Sequence, residues 1–215
     1  NCNCNARAFK MSALEIADII GIISFALSGF LIGVHCKLDI LGVFISAFLT
    51  AFGGGMTRDV LADRTPYVFT SNLPLSLVIA TVLIAMLFKL HKITNLEGKW
   101  AFVISDAIGL SSFAITGAII AIESNFNFLS AVMLAFITAV GGGTIRDVLI
   151  NRMPFILVSE FYATVALIIG SVVYILDAFE LRNIFSLIIV FIFGVVLRVL
   201  AYYKKWHLPT LSKEN

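Results

Sequence analysis

Apolar residues in this chain neither alternate with polar ones nor recur only every third or fourth position; they run on in long blocks. A helix rises about 1.5 Å per residue and the hydrocarbon core of a bilayer is ~30 Å thick. Seven blocks meet that length or come close to it: Leu14–Val34, Ile40–Leu61, Leu73–Leu90, Trp100–Ile122, Phe128–Ile150, Ile156–Leu176 and Ile184–Tyr203. Most polar residues collect in the short stretches between them. Connections of that length join helical hairpins, so neighbouring spans are expected to be antiparallel. Unbroken apolar runs exclude a transmembrane barrel, whose strands alternate lipid-facing and lumen-facing residues. The first block is too long for a signal-peptide core and lacks a cleavage-site pattern, so it reads as a retained span. The pattern predicts an all-α membrane protein with seven transmembrane helices.

Composition agrees. Hydrophobic residues make up 60% of the chain and charged ones 13%, with a mean hydropathy of +1.03. A soluble domain carries about 25% charged residues, so lipid must cover much of this surface. A net charge of +2, with no basic cluster outside short loops, argues against nucleic acid, which needs a concentrated basic surface. Cys2 and Cys4 fall in the leader, residues 1–10, ahead of Met11. That leader is set apart as an expression remnant or propeptide scar. Cys36 stands alone and is expected to be a packing thiol.

Basic residues orient the spans. Lys37, Lys89, Lys92, Lys99, Lys204, Lys205 and Lys213 gather on the side of the C-terminus, against Arg182 and Arg64 on the other. The C-terminus is expected to be cytoplasmic and the N-terminus outside. Trp100, Tyr202, Tyr203 and Trp206 fit an interfacial aromatic belt.

The chain also repeats itself. AFLTAFGGGMTRDVLADRTP (Ala47–Pro66) aligns without a gap to AFITAVGGGTIRDVLINRMP (Ala135–Pro154), and ADIIGIISFALSG (Ala17–Gly29) to SDAIGLSSFAITG (Ser105–Gly117), all at an offset of about 88 residues. Roughly 22 of the 50 positions from Ala17 to Pro66 are identical in the second copy, a self-similarity that marks duplication. Each unit holds three spans, so the second enters the membrane from the opposite side. The expected organisation is a three-helix repeat over 11–98, its inverted copy over 99–182, and a seventh helix with a cytoplasmic tail over 183–215.

The second span of each unit carries three consecutive glycines, Gly53, Gly54, Gly55 and Gly141, Gly142, Gly143. Together they cost a helix on the order of 3 kcal/mol relative to alanine, and Pro66 and Pro154 close the two elements. The expectation is a helix broken at each triplet, its freed carbonyls suited to a cation and its freed amides to an anion. The alternative is close packing of two helices through the glycines. Thr50 and Thr138, one turn earlier, are candidate lining residues.

A charged pair follows each triplet, Arg58 with Asp59 and Arg146 with Asp147. A charge at membrane depth costs ~2.5–3.5 kcal/mol even on the lenient insertion scale, so it should face inward and be paired. Consecutive helical residues point about 100° apart, so adjacent Arg and Asp are not expected to pair. Two schemes stay open. Arg58 meets Asp147 and Arg146 meets Asp59, or Arg58 meets Asp18 and Arg146 meets Asp106. Ser24, Ser28, Ser112 and Thr116 read as close-packing positions with local hydroxyl bonding, with lining of a pathway as the alternative. His35, His91 and His207 lie at span ends without metal-ligand spacing, so no metal site is expected. No metalloprotease, nucleophile-elbow or phosphate-loop motif is present, and the chain is not expected to be an enzyme or to hold a cofactor.

The doubled motif GGGMTRDVL and GGGTIRDVL, on the second and fifth of seven spans, resembles the TRIC family of trimeric intracellular cation channels, in its prokaryotic branch. The resemblance covers Met11 to about Tyr203. It implies a homotrimer in the prokaryotic inner membrane with one pore per protomer, passing K⁺ and, less selectively, Na⁺. It makes the glycine triplets hinges and places Arg58, Asp59, Arg146 and Asp147 beside the pathway. The same broad family includes bacterial members regarded as transporters of glycine or small neutral amino acids, which is the alternative function.

Overall fold

The computed structural model describes residues 2–90, 96–158, 161–204 and 206. His91, Lys92, Lys205, His207 and Lys213 lie outside the described residues, as do the side chains of Cys2, Cys4 and Lys99. Every regular element among the described residues is a helix: α1 (Cys2–His35), α2 (Ile40–Leu61), α3 (Tyr67–Thr70), α4 (Leu73–Leu87), α5 (Leu96–Glu123), α6 (Phe128–Leu149), α7 (Phe155–Val158), α8 (Tyr162–Ala178) and α9 (Ile184–Tyr203). Five are long and apolar enough to cross a membrane, namely Ala13–His35 of α1, α2, Trp100–Glu123 of α5, α6 and α9.

One expectation needs correction. Helix α1 runs back to Cys2, so the leader continues the backbone of the first span. The third helix of each unit is shorter than its apolar block. Helices α4 and α8 have 15 and 17 residues, about 22 to 26 Å at helical rise. Each follows a one-turn helix, α3 or α7. Ahead of α8, Phe161 adopts a left-handed conformation, φ 53°, which an α-helix cannot absorb, so the block beginning at Ile156 divides there.

Local chemistry fixes the helix ends at matching places in the two units. Asp39 accepts a hydrogen bond from the Gly42 amide at 2.7 Å to cap α2, and Asn127 accepts one from the Ser130 amide at 2.9 Å to cap α6. Side-chain acceptors there satisfy amides that the helix leaves open. Asp63 and Asn151 take left-handed conformations after α2 and α6. Arg64 and Arg152 amides then reach back to the carbonyls of Asp59 and Asp147, each at 2.8 Å, closing Schellman-type ends.

The two units pack as partners. Helix α1 lies on α5 and α2 on α6, while α1 also packs on α2 and α5 on α6. Ser28, late in α1, reaches Asp106, early in α5, at 3.3 Å. At the other end Arg58 bridges Asp18, ten residues before Ser28 in α1, and Thr116, ten residues after Asp106 in α5. Helices α1 and α5 therefore run antiparallel. At their crossing Phe25 and Phe113, equivalent residues of the repeat, meet edge to face with centroids 5.1 Å apart, a favoured ring geometry.

Symmetry ends at α9, which packs on α5 and α8. With that extra cover the apolar span of α5 is 89% buried, against 50% for α1. The outer face of α9, with Phe185, Ile189, Ile192 and Phe193, is exposed, as suits a helix bathed in lipid.

Candidate functional site

The glycine triplets do not break their helices: α2 and α6 are continuous α-helix from Ile40 to Leu61 and from Phe128 to Leu149. The expected free carbonyls and amides are absent at both triplets, and close packing explains four of the six glycines. A Cβ on Gly54 would strike the Thr138 carbonyl oxygen, and one on Gly142 the Thr50 carbonyl oxygen. Gly53 faces the Gly142 Cα and Gly141 the Gly54 Cα, with a Cβ falling 3.0 and 3.2 Å away. Three glycines in a row weaken a helix in isolation, but tertiary contact overrides propensity, and only glycine allows this backbone-to-backbone approach. The third glycines differ. Nothing lies within 4 Å of a Cβ on Gly55, and only the Arg146 and Tyr162 side-chain tips, both at 3.7 Å, face one on Gly143.

Thr50 and Thr138 belong to the same crossing. Both are fully buried, and each donates its hydroxyl to the carbonyl one turn back, Ser46 or Leu134, at 2.6 Å. They are packing residues of the α2–α6 contact and do not line the cavity described below.

One turn beyond the crossing the arginines turn inward. Arg58 is 2% exposed and Arg146 1%, so neither snorkels to the surface. Arg58 donates to both Asp18 oxygens, Nη1 at 2.7 Å and Nη2 at 3.2 Å, to the Thr116 hydroxyl at 2.8 Å, and through Nε to Asp59 at 2.8 Å. This decides between the two pairing schemes in favour of Asp18 and excludes the Asp147 alternative for Arg58. It also overturns the expectation that adjacent residues do not pair. The guanidinium is long enough to fold back, so its Nε reaches the neighbouring carboxylate while its tip reaches α1. The other Asp59 oxygen accepts the Tyr67 amide at 3.0 Å, which ties the start of α3 to the site.

The second unit repeats the skeleton with different fittings. Arg146 donates through Nε to Asp147 at 2.8 Å and through Nη1 to the Ser28 hydroxyl at 3.3 Å. Ser28 in turn donates to Asp106 at 3.3 Å. Thus Arg146 meets Asp106 through a hydroxyl bridge and through its field, where Arg58 holds Asp18 directly. Each arginine reaches a hydroxyl on the first helix of the other unit, Thr116 or Ser28. Those two residues, read from sequence as packing positions, are crossing ligands of the guanidinium groups. Their equivalence across the repeat was the available signal.

Two further residues enter the second site that sequence reasoning missed. Tyr162, at the start of α8, hydrogen-bonds Asp106. Arg198 of α9, 1% exposed, places its guanidinium over the Tyr162 ring at 4.8 Å, and its charge acts on Asp106. Arg146 itself lies 5.7 Å from the Phe102 ring centroid, within cation–π range.

At the first site, by contrast, a small cavity of about 20 Å³ remains beside Asp18, Gly55, Arg58, Asp59, Tyr67 and Pro74, about enough for one water-sized particle. The two sites stand ~15 Å apart along α1, judged from the ten residues between Asp18 and Ser28 at helical rise, and on opposite sides of the Phe25–Phe113 contact.

Known proteins share this architecture. The family model described as Glycine transporter matches the chain twice, over residues 15–90 and 103–178, in the register of the internal repeat. The UPF0126 membrane protein YvgT of Bacillus subtilis (strain 168) is 36% identical over 201 residues, covering 93% of this chain and 97% of that protein. The inner membrane protein YadS of Escherichia coli (strain K12) is 40% identical over 157 residues, 73% of this chain and 75% of its own. Among solved structures, a TRIC cation channel superposes with a TM-score of 0.80 at 35% identity, over 94% of this chain and 98% of that one. A prokaryotic TRIC channel in 0.5 M KCl gives 0.83 at 35% identity, over 91% and 98%. The orthologue from Rhodobacter sphaeroides gives 0.82 at 27% identity, over 89% and 98%. These relatives are channels and membrane proteins rather than enzymes. An integral membrane protein with this fold, this repeat and these matches belongs to the TRIC family of membrane proteins, with the UPF0126 proteins as its relatives and Glycine transporter as the description of its family model.

Proposed function

We propose that the chain is a passive monovalent-cation channel, permeable to K⁺ and less selectively to Na⁺, with one pore in each protomer of a homotrimer. Seven helices cross the bilayer as two inverted three-helix units plus α9, with the N-terminus outside and the C-terminus in the cytoplasm. The observation that carries this reading is the pair of buried Asp–Arg–Asp clusters strung along the antiparallel α1–α5 pair, in a fold shared with TRIC cation channels. Ionisable groups at membrane depth are expensive and serve ion pathways or proton relays. At the first cluster two carboxylates share one arginine and give a path for cations, while the arginine limits how deeply any cation is held.

The gate in this reading is the α2–α6 crossing. Helices in backbone contact at Gly53, Gly54, Gly141 and Gly142 leave no side chain to move aside, so opening requires the two helices to part or bend there. Gly55, with open space beside it, and Gly143, which faces only side-chain tips at 3.7 Å, supply the local freedom. This places the hinge function in the packing of the glycines rather than in a standing break.

The second reading, uptake of glycine or a small neutral amino acid, draws on the description of the family model. A zwitterion could set its carboxylate on Arg58 and its ammonium on Asp18 or Asp59. The cavity beside these residues, about 20 Å³, is scaled to one water or a bare monovalent ion rather than to an amino acid, and this favours the channel. Proteoliposomes loaded with potassium decide between them. Rapid K⁺ release without external substrate is expected of the channel. Retained K⁺ with saturable uptake of labelled glycine would establish the transporter instead.

A further inference from the structure

The first turn of α8 is built unlike its counterpart in the other unit. By the register of the two family matches, 15–90 and 103–178, Pro74 of the first unit corresponds to Tyr162 of the second. Helix α4 starts from Asn72 in an ordinary conformation, φ −77°, with the proline in its first turn, where a fixed φ suits the helix. Helix α8 starts from Phe161 in the left-handed region, φ 53°, which a bulky residue holds only where its surroundings impose it. Those surroundings include the end of α9. The Phe161 ring meets the Trp206 ring at 5.5 Å and 62°. Trp206 is itself fastened to α9, its amide donating to the Ala201 carbonyl at 3.1 Å. Trp100 braces the same end of α9 against α5, with its ring centroid 5.6 Å from Tyr202 and 6.4 Å from Tyr203. One residue after Phe161, Tyr162 is 3% exposed, with the Arg198 guanidinium of α9 4.8 Å over its ring. The Tyr162 hydroxyl lies 3.7 Å from where a Cβ on Gly143 would stand, in the place that is open beside Gly55 of the first unit.

We propose that Phe161 and Trp206 form a latch through which the end of α9 keeps Tyr162 plugged in beside Gly143. A ring pair contributes about as much as a left-handed residue costs, and such near balance is what a two-state element needs. With the rings in contact, Phe161 is held left-handed and Tyr162 stays buried. When Trp206 lets go, Phe161 returns to right-handed or extended backbone, the first turn of α8 shifts, and Tyr162 leaves Gly143. The second site then gains the open space beside its third glycine that the first site always has. Trp206 is 38% exposed at the end of the last span, so the latch is reachable from water while the plug it holds is buried. Helix α4 starts without a left-handed residue, so the switch belongs to one half of the molecule alone. This inference deepens the cation-channel reading and rests on it for one consequence, that the latch controls flux past the second arginine site.

The test is the rate at which a thiol placed at the plugged position reacts with a water-soluble methanethiosulfonate reagent, read by intact mass on purified protein in detergent. The background carries Cys2→Ser, Cys4→Ser and Cys36→Ser, which removes all three native thiols. Gly143→Cys is expected to react slowly while Trp206 is present. With Trp206→Ala it should react severalfold to about tenfold faster, the population shift that loss of one ring pair allows. Trp206→Phe keeps an aromatic ring and should keep the slow rate. Phe161→Leu should quicken labelling as Trp206→Ala does, and the two together no more than either alone, since both remove one contact. Gly55→Cys, beside the standing cavity, reports general loosening and should react at one rate in all these backgrounds. A Gly143→Cys rate indifferent to Trp206 would overturn the inference. So would a Gly55→Cys rate that rises in step, because Trp206 would then only stabilise the fold. Labelling needs no ion flow. If the pattern holds while K⁺ release from proteoliposomes fails, the channel reading falls and the latch stands; if K⁺ release holds while labelling ignores Trp206, the latch falls alone.

Discussion

The first and second arginine sites begin from nearly the same sequence and end as different devices. Both place an arginine one turn past a glycine crossing, fold it back onto its neighbouring aspartate, and send its tip to a hydroxyl on the other unit. There the likeness stops. Arg58 holds Asp18 through two direct bonds beside a small cavity. Arg146 reaches Asp106 through Ser28, in a site packed with Phe102, Tyr162 and Arg198. The difference teaches that duplication fixes the skeleton, whereas a few substitutions and one appended helix decide whether a site is open or filled.

The sharpest way to break this comparison is to remove each arginine. Arg58→Ala leaves two buried carboxylates facing each other, and a loss of about 3–5 kcal/mol is expected for a buried pair broken on one side. Arg146→Ala should lose distinctly less, because Arg198 still acts on Asp106. Thermal or denaturant unfolding in detergent compares them, and equal losses would show that Arg198 does not compensate. Next come the glycines, where the halves should behave alike. Gly54→Ala and Gly142→Ala each force a methyl against the opposite backbone, at an expected cost of about 1–3 kcal/mol for overpacking. Gly55→Ala meets open space and should be neutral or stabilising by up to ~1 kcal/mol through helix propensity.

Smaller effects refine the crossing contacts. Thr116→Val removes an acceptor 2.8 Å from Arg58, against 3.3 Å for Ser28 and Arg146. A hydrogen bond to a charged group contributes ~1.5–3 kcal/mol, so Thr116→Val should cost about that and Ser28→Ala less. The smallest change is expected at the rim. Arg64 pairs with Glu123 at 3.2 Å, both partly exposed, while its equivalent Arg152 lies 3.5 Å from the Cys36 sulfur. Glu123→Gln should cost under ~1 kcal/mol and less still in high salt.

Much of this was legible in the chain. Continuous apolar blocks gave the helices because lipid leaves no other way to satisfy a spanning backbone. The repeat pointed to paired units because 22 identities in about 50 positions do not arise from apolar composition. Asp18, Asp59, Arg58 and Arg146 stood out because charge at membrane depth needs a reason. What escaped was governed by three-dimensional approach. Glycine propensity suggested broken helices, but the gain from bringing α2 against α6 outweighs it. The angle between successive helical residues argued against an Arg58–Asp59 pair, but ignored the length of the arginine side chain. Arg198 was unreadable because α9 lies outside the repeat, so nothing in the first unit marked its partner. Tyr162 was hidden for a similar reason, standing where the first unit has proline.

The most direct test of the central claim is single-channel recording of the purified protein in a planar bilayer under a KCl gradient. Discrete openings whose current reverses near the potassium equilibrium potential are the predicted result, with opening altered when Gly54 and Gly142 are both changed to alanine. A bilayer that stays silent although incorporated protein is quantified in it, or a reversal near the chloride potential, would contradict it.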